Sequence, residues 1–173
     1  MTLTDRHRFG PLTPILAAVV VALDQLSKHW ALGRLGGGDV IHVVWTLQFN
    51  LAFNSGMAFG RARGLGPVIA VVATVVIVWL LVSFRKSSSR SSIVAVGLVI
   101  GGAAGNLVDR IFRGGEFLRG SVVDFIDFQW FPIFNVADVA INVGGAMLIL
   151  GYVLEARRGT TSDMMGDAGD GDD

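Results

Sequence analysis

The chain has 173 residues, 52% of them hydrophobic, with 14 basic and 14 acidic side chains and a formal net charge of zero. An apolar fraction of that size belongs to a membrane protein rather than a soluble domain, and the balanced charge gives nucleic acid no basic surface to bind. Cysteine is absent, which excludes disulfides, thiolate nucleophiles and thiolate metal sites; His7, His29 and His42 form no pair at ligand spacing, so no metal or other cofactor is expected.

Pro11 and Pro14 suit the start of a helix, where a missing N–H is no loss. Ile15–Leu23 alone resembles the apolar core of a secretory signal peptide, but the pattern continues through Asp24-Gln-Leu-Ser-Lys28-His-Trp30 without a small-x-small cleavage site. Pro14–Leu32 therefore reads as a first, uncleaved span. Asp24 lies in its second half and Lys28 follows at i+4, on the same face and in the favourable acid-first order. Gly33–Gly64 is a long segment outside the spans. Within it Val40–Phe49, rich in β-branched and aromatic residues, predicts one or two short strands, and Asn50–Phe59, with Asn54 and Gly56, predicts a turn.

Leu65–Phe84 is a charge-free second span, and a short basic connection through Arg85, Lys86 and Arg90 leads to a third, Ile93–Phe112. Gly97, Gly101 and Gly105 recur every four residues there, a pattern that lets another helix approach closely. Asn106, Asp109 and Arg110 close this span. A second long connection, 113–132, holds the glycine-rich Arg113–Gly120 and then Val122–Phe128, where apolar residues alternate with Asp124 and Asp127; in an extended strand these two aspartates point to opposite faces. Pro132 precedes the fourth span, Ile133–Leu154, and the Gly-, Thr- and Asp-rich residues 159–173 read as a disordered acidic tail. The chain thus reads as a single integral membrane domain, an all-α bundle of four transmembrane helices with a small β element. No heptad seam is evident, and a monomer is expected.

Asn135, Asp138 and Asn142 are spaced by three and four, on one face of the fourth helix. An intramembrane carboxylate costs ~2.5–3.5 kcal/mol even on a mild insertion scale. In an up-down bundle Asp24, Lys28, Asn54, Asn106, Asp109, Arg110, Asp124 and Asp138 all gather near one membrane face. Nothing in the chain supplies a serine–histidine pair in a placed motif or a metal-ligand set, whereas two carboxylates sharing a proton need neither. Spacing leaves open whether Asp138 pairs with Asp124, Asp127, Asp109 or Asp24. A proton-coupled transporter also explains intramembrane carboxylates, but its relay sites should continue across the membrane. With both ends of the chain on one side, the Lys/Arg count ties at seven against seven. Partners for Lys28 and Arg110 inside the fold tip the balance toward cytoplasmic ends.

Five short motifs occur in order: Asp24-Gln-x-x-Lys28, Asn54-x-Gly56-x-Ala58-Phe59, Gly101-Gly-Ala-x-Gly-Asn106-x-x-Asp109-Arg110, Val122-Val-Asp124-Phe and Phe134-Asn135-x-Ala-Asp138. Together they resemble bacterial lipoprotein signal peptidase, signal peptidase II. The resemblance implies an aspartic endopeptidase of the bacterial cytoplasmic (inner) membrane, with both termini cytoplasmic and its active site near the outer face. It implies cleavage of diacylglyceryl-modified prolipoproteins just before the modified cysteine, with the acyl chains left in membrane lipid. Carried over by motif, the catalytic dyad is Asp124 and Asp138. Asn54, Gly56, Asn106, Arg110 and Asn135 are expected to bind substrate or position the dyad, and Asp24, Lys28 and Asp109 to support the fold. Gly33–Gly64 is expected to hold a β-cradle and a lid segment, while the stretch from Arg110 to Val122 is longer than the family's usual spacing.

Overall fold

The computed structural model describes residues 11–56, 65–84 and 89–167, with side chains to Arg157. In chain order the elements are α1 (Leu12–Leu35), β1 (Ile41–Val44), β2 (Leu47–Asn54), α2 (Gly66–Ser83), α3 (Arg90–Phe112), β3 (Val122–Asp127) and α4 (Val136–Asp167). Four helices are long and apolar enough to cross a membrane, and one antiparallel sheet of order β1-β2-β3 accompanies them.

α3 is the central helix because its glycines remove the side chains that would hold neighbours off. A Cβ at Gly101 would lie 2.7 Å from the Val20 Cβ and 2.8 Å from the Ala17 carbonyl oxygen of α1, and one at Gly102 would lie 2.4 Å from the Ala137 carbonyl oxygen of α4. The stripe at Gly97, Gly101 and Gly105 thus serves close packing against α1. Val96 and Val99 of α3 bury Leu80 of α2 in a separate apolar cluster. The outward faces of α1, α2 and α4 leave residues such as Leu26, Val75, Val82 and Ile149 exposed, as helices facing lipid must.

The sheet joins the two long connections. β1 and β2 form a hairpin whose tip holds Trp45 at φ 51°, and β2 pairs with β3 through Ala52↔Asp124 and Asn54↔Val122. Phe125 faces Ala31 and Leu35 at the end of α1, with the Trp30, Phe49 and Phe125 rings stacked edge-on or tilted around it. This packing seats the sheet on α1 and leaves Asp124, on the adjacent position, facing the other way.

Three segments differ from the sequence expectation. β2 continues through Asn50–Asn54, where a turn was expected, because β3 supplies partners the local sequence does not reveal; a register shift between Phe49 and Ala52 accommodates the extra length. The chain bends at Ser55-Gly56, where Gly56 has φ 90° and a Cβ would lie 2.8 Å from the Gly66 nitrogen; the rest of the expected turn, residues 57–59, lies outside the described residues. α4 begins at Val136 rather than Ile133, since Phe134 bridges to Ile126 of β3 instead of joining the helix. α4 also runs to Asp167, through part of the tail expected to be disordered; elongating an existing helix adds a hydrogen bond per residue without a new nucleus. Of Gly33–Gly64, the segment expected to hold a β-cradle and a lid, residues 57–64 lie outside the described residues.

Candidate active site

The start of α4 explains why Asp138 is where it is. Asn135 is the residue before the helix and Asp138 the third within it. The Asn135 Oδ1 accepts from the Asp138 N–H at 3.0 Å, and the Asp138 Oδ2 accepts from the Asn135 N–H at 3.2 Å. This is a reciprocal capping box, built here from Asn and Asp. The Ala137 N–H donates to Asp24 Oδ1 at 3.0 Å, so another of the helix's orphan donors is satisfied by α1. Asp138 thus stands in the first turn of α4.

Asn135 reaches the second carboxylate as well. Its Nδ2 donates to Asp124 Oδ1 at 2.6 Å and to Asn106 Oδ1 at 3.2 Å, and Asn106 Nδ2 donates to Asp138 Oδ1 at 2.8 Å. Asp124 and Asp138 are therefore both bonded to one buried asparagine. Burial and the neighbouring Asp138 push the Asp124 carboxyl up to about 6, against the opposing pull of the Asn135 and Asn54 amides.

The remaining aspartates have other partners. Lys28 Nζ lies 2.8 Å from Asp24 Oδ2 and 2.8 Å from Asp109 Oδ2, all three side chains fully buried. Asp127 accepts from Gln48 Nε2, Asn50 Nδ2 and the Gln129 N–H; burial pushes its carboxyl up, and these donors outweigh that and hold it below the usual range. Of the pairings left open by spacing, the structure brings Asp138 together with Asp124. Asn142 takes no part: it is exposed, and its amide donates back to the Asp138 carbonyl.

A cavity of about 1050 Å³ opens onto this cluster. Its walls are apolar, including Ile69 and Val76 of α2 and Val99 and Ala103 of α3, and its polar end holds Asn54, Asn106, Arg110 and Asp138. Arg110 is 5% exposed, and its Nη1 has no hydrogen-bond partner among the described residues. Trp130 and Phe131, in the loop before α4, also line the cavity. The long stretch after α3 folds back on that helix: the Gly120 N–H donates to the Arg110 carbonyl, and a Cβ on Gly120 would lie 2.4 Å from the Asp109 carbonyl oxygen.

A family model described as signal peptidase (SPase) II matches residues 16–154. The chain belongs to the signal peptidase II family. It is 42% identical over 140 residues to a Mycolicibacterium smegmatis protein named lipoprotein signal peptidase, an alignment covering 80% of this chain and 59% of that one. A Mycobacterium avium protein of the same name is 43% identical over 136 residues, covering 78% of this chain and 74% of the relative. Among solved structures, a bacterial membrane enzyme determined in meso at 2.3 Å superposes with a TM-score of 0.74 at 27% identity, covering 87% of this chain and 93% of the other. This signal peptidase II family member is thus a multi-pass bacterial membrane protein.

Sequence reasoning missed some of the site's supports. Gln25, inside the first motif, donates to Asp24, Asp109 and the Gly105 carbonyl, and Arg113 donates to Asp109 Oδ1 at 2.6 Å. Gln25 sits beside Asp24 and Arg113 lies at i+4 from Asp109, so helical spacing carried a signal for the second of these. Gly66 was also missed: a Cβ there would lie 3.3 Å from Arg110 Nη1.

Proposed function

We propose that this chain is an intramembrane aspartic endopeptidase that removes signal peptides from prolipoproteins, cutting before a diacylglyceryl-modified cysteine. The observation that carries this reading is the pair Asp124 and Asp138, both hydrogen-bonded to Asn135, with Asp138 itself lining an apolar cavity beside Asn54, Asn106 and Arg110. Asp138 is the general base: it lines the cavity, and its oxygens are held by the Asn106 amide and the Asn135 N–H. Asp124 holds the shared proton, a role that its raised titration supports. Asp138 takes a proton from water as the oxygen attacks the scissile carbonyl, and Asp124 gives its proton to the developing oxyanion. Collapse of the tetrahedral intermediate breaks the C–N bond, with the proton on Asp138 passing to the leaving amine and that on the hydroxyl returning to Asp124.

Arg110 and Asn54 offer donors to the extended peptide, and Gly56 lets the chain turn beside them. The apolar walls between α2 and α3 suit the signal peptide or an acyl chain of the substrate. The site lies at the outer face of the cytoplasmic membrane, both termini are cytoplasmic, and the enzyme acts as a monomer without a metal or cofactor. The test is incubation of purified protein with a lipid-modified precursor and with the same precursor lacking the diacylglyceryl group. Shortening of the first but not the second is expected; an intact lipid-modified precursor would overturn the reading.

A further inference from the structure

Lys28 is fully buried, and its ammonium has three acceptors for three protons: Asp24 Oδ2 at 2.8 Å, Asp109 Oδ2 at 2.8 Å and Asn106 Oδ1 at 2.9 Å. Each acceptor leads to the dyad by a second bond. Asp24 Oδ1 accepts from the N–H of Ala137, the residue before Asp138. Asp109 Oδ2 accepts from the N–H of Val123, the residue before Asp124, at 3.1 Å. Asn106 Oδ1 is turned toward Lys28 and Asn135, so its Nδ2 faces Asp138. A simple neutralising pair needs only the i+4 contact between Lys28 and Asp24. The observed arrangement instead links α1 and α3 to the backbone immediately before both carboxylates.

We propose that Lys28 is a positioning residue for the dyad: its ammonium ties together the two side chains that each hold the backbone amide preceding a dyad aspartate, and it orients the asparagine amide that donates to Asp138. The proposal rests on the dyad reading above. Lys28 touches neither reacting carboxylate. It fixes their separation, because the strand bearing Asp124 and the helix bearing Asp138 are both referred to one nitrogen. Gln25, bonded to Asp24 and Asp109 together, braces the same bracket from the α1 side.

Lys28→Met alone strands two buried carboxylates and is expected to fold poorly. The informative variant is Lys28→Met with Asp24→Asn and Asp109→Asn. It removes all three charges together and leaves each asparagine carbonyl able to accept from Ala137 or Val123; it deletes the tie between them, along with the Arg113 ion pair and the Gln25 bonds that those carboxylates hold. Two measurements on the full chain in detergent decide the matter. In the first, cleavage of a lipid-modified precursor by the triple variant is expected to show kcat lowered on the order of 10²-fold, with KM little changed, at a melting temperature close to that of the unsubstituted chain. In the second, Asp124→Cys and Asp138→Cys are introduced together into the otherwise cysteine-free chain, with and without the triple substitution. Bridging of the two thiols by dibromobimane is followed by fluorescence and is expected to slow severalfold when Lys28 is lost. A folded triple variant with unchanged kcat, or with unchanged bridging, overturns the proposal. If even the unsubstituted chain leaves the precursor intact, the peptidase reading fails, and the bridging rate still decides whether Lys28 sets the separation of residues 124 and 138. A triple variant that does not fold moves the same comparison to Gln25→Leu, which loosens the bracket without removing charge. There a lowered kcat with slower bridging supports the proposal, and unchanged values overturn it.

Discussion

At the scale of single residues, the two aspartates of the proposed dyad are chemically alike but differently placed, and their amide variants should behave differently. Asp124 titrates near 6 instead of its ordinary 3.8. The folded chain therefore binds more protons than the unfolded chain between those values, so stability falls as pH rises through that window and stays lower above it. The shift corresponds to about 3 kcal/mol. Asp124→Asn removes that burden while keeping an acceptor for Asn135. It should be inactive yet melt higher than the unsubstituted chain at pH 7, with the gain disappearing near pH 4. Asp138 has two donors on its two oxygens, from Asn106 and from the Asn135 N–H. Asp138→Asn can accept only one of them, so it should be inactive and less stable by ~1–3 kcal/mol. Thermal melts of both variants across pH check the signs; equal shifts would mean that the proton does not rest on Asp124. In the unsubstituted enzyme kcat/KM should decline above pH about 6 as Asp124 loses its proton. Asp127→Asn, by contrast, should keep its activity. Asp127 only joins β2 to the turn at Gln129, and a dead Asp127→Asn would show that the dyad was drawn with the wrong partner.

At the scale of elements, α3 sets the depth at which the other helices meet. Gly101 and Gly102 are neighbours in sequence but face different helices, α1 and α4. Alanine at either position overpacks a backbone contact and should cost ~1–3 kcal/mol. Only Gly102→Ala presses on the Ala137 carbonyl, one residue before Asp138. It should lower kcat well beyond Gly101→Ala at similar loss of stability, measured by paired melting and cleavage assays; equal effects on kcat would separate the α3–α4 contact from the chemistry. The elements also show what a sequence reveals. Long apolar runs announced all four spans, because the bilayer imposes a length and a composition. The end of β2 and the start of α4 were hidden for the opposite reason. Asn50–Asn54 looks like a turn until Val122–Asp127 pairs with it, and Ile133-Phe134 looks helical until Phe134 bridges to Ile126. Asn135 and Asp138 held the true boundary signal, a capping box without its usual Ser/Thr and Glu.

At the scale of the whole molecule, the sheet constrains how the chain crosses the membrane. β1 and β2 follow α1, β3 follows α3, and all three strands are hydrogen-bonded together. The connections after the first and third spans therefore lie on the same side. The gathering of polar residues at one end was legible in the sequence for this reason: each support lies at the end of a span that faces the sheet. Orientation was not legible, since the Lys/Arg count tied. Burial changes that count. Lys28 and Arg110 are buried, and Arg113 is paired with Asp109 and only partly exposed. By sequence position the connections on the sheet side then keep four cations, Arg34, Arg61, Arg63 and Arg119, against seven in the ends and the 85–90 connection. An excess of cationic residues marks the cytoplasmic face, so the sheet and the dyad should lie outside. A reporter active only beyond the cytoplasmic membrane, fused after residue 117, should give signal, and the same reporter fused after residue 88 should give none. The reverse pattern would turn the molecule over and place Asp124 and Asp138 on the cytoplasmic side.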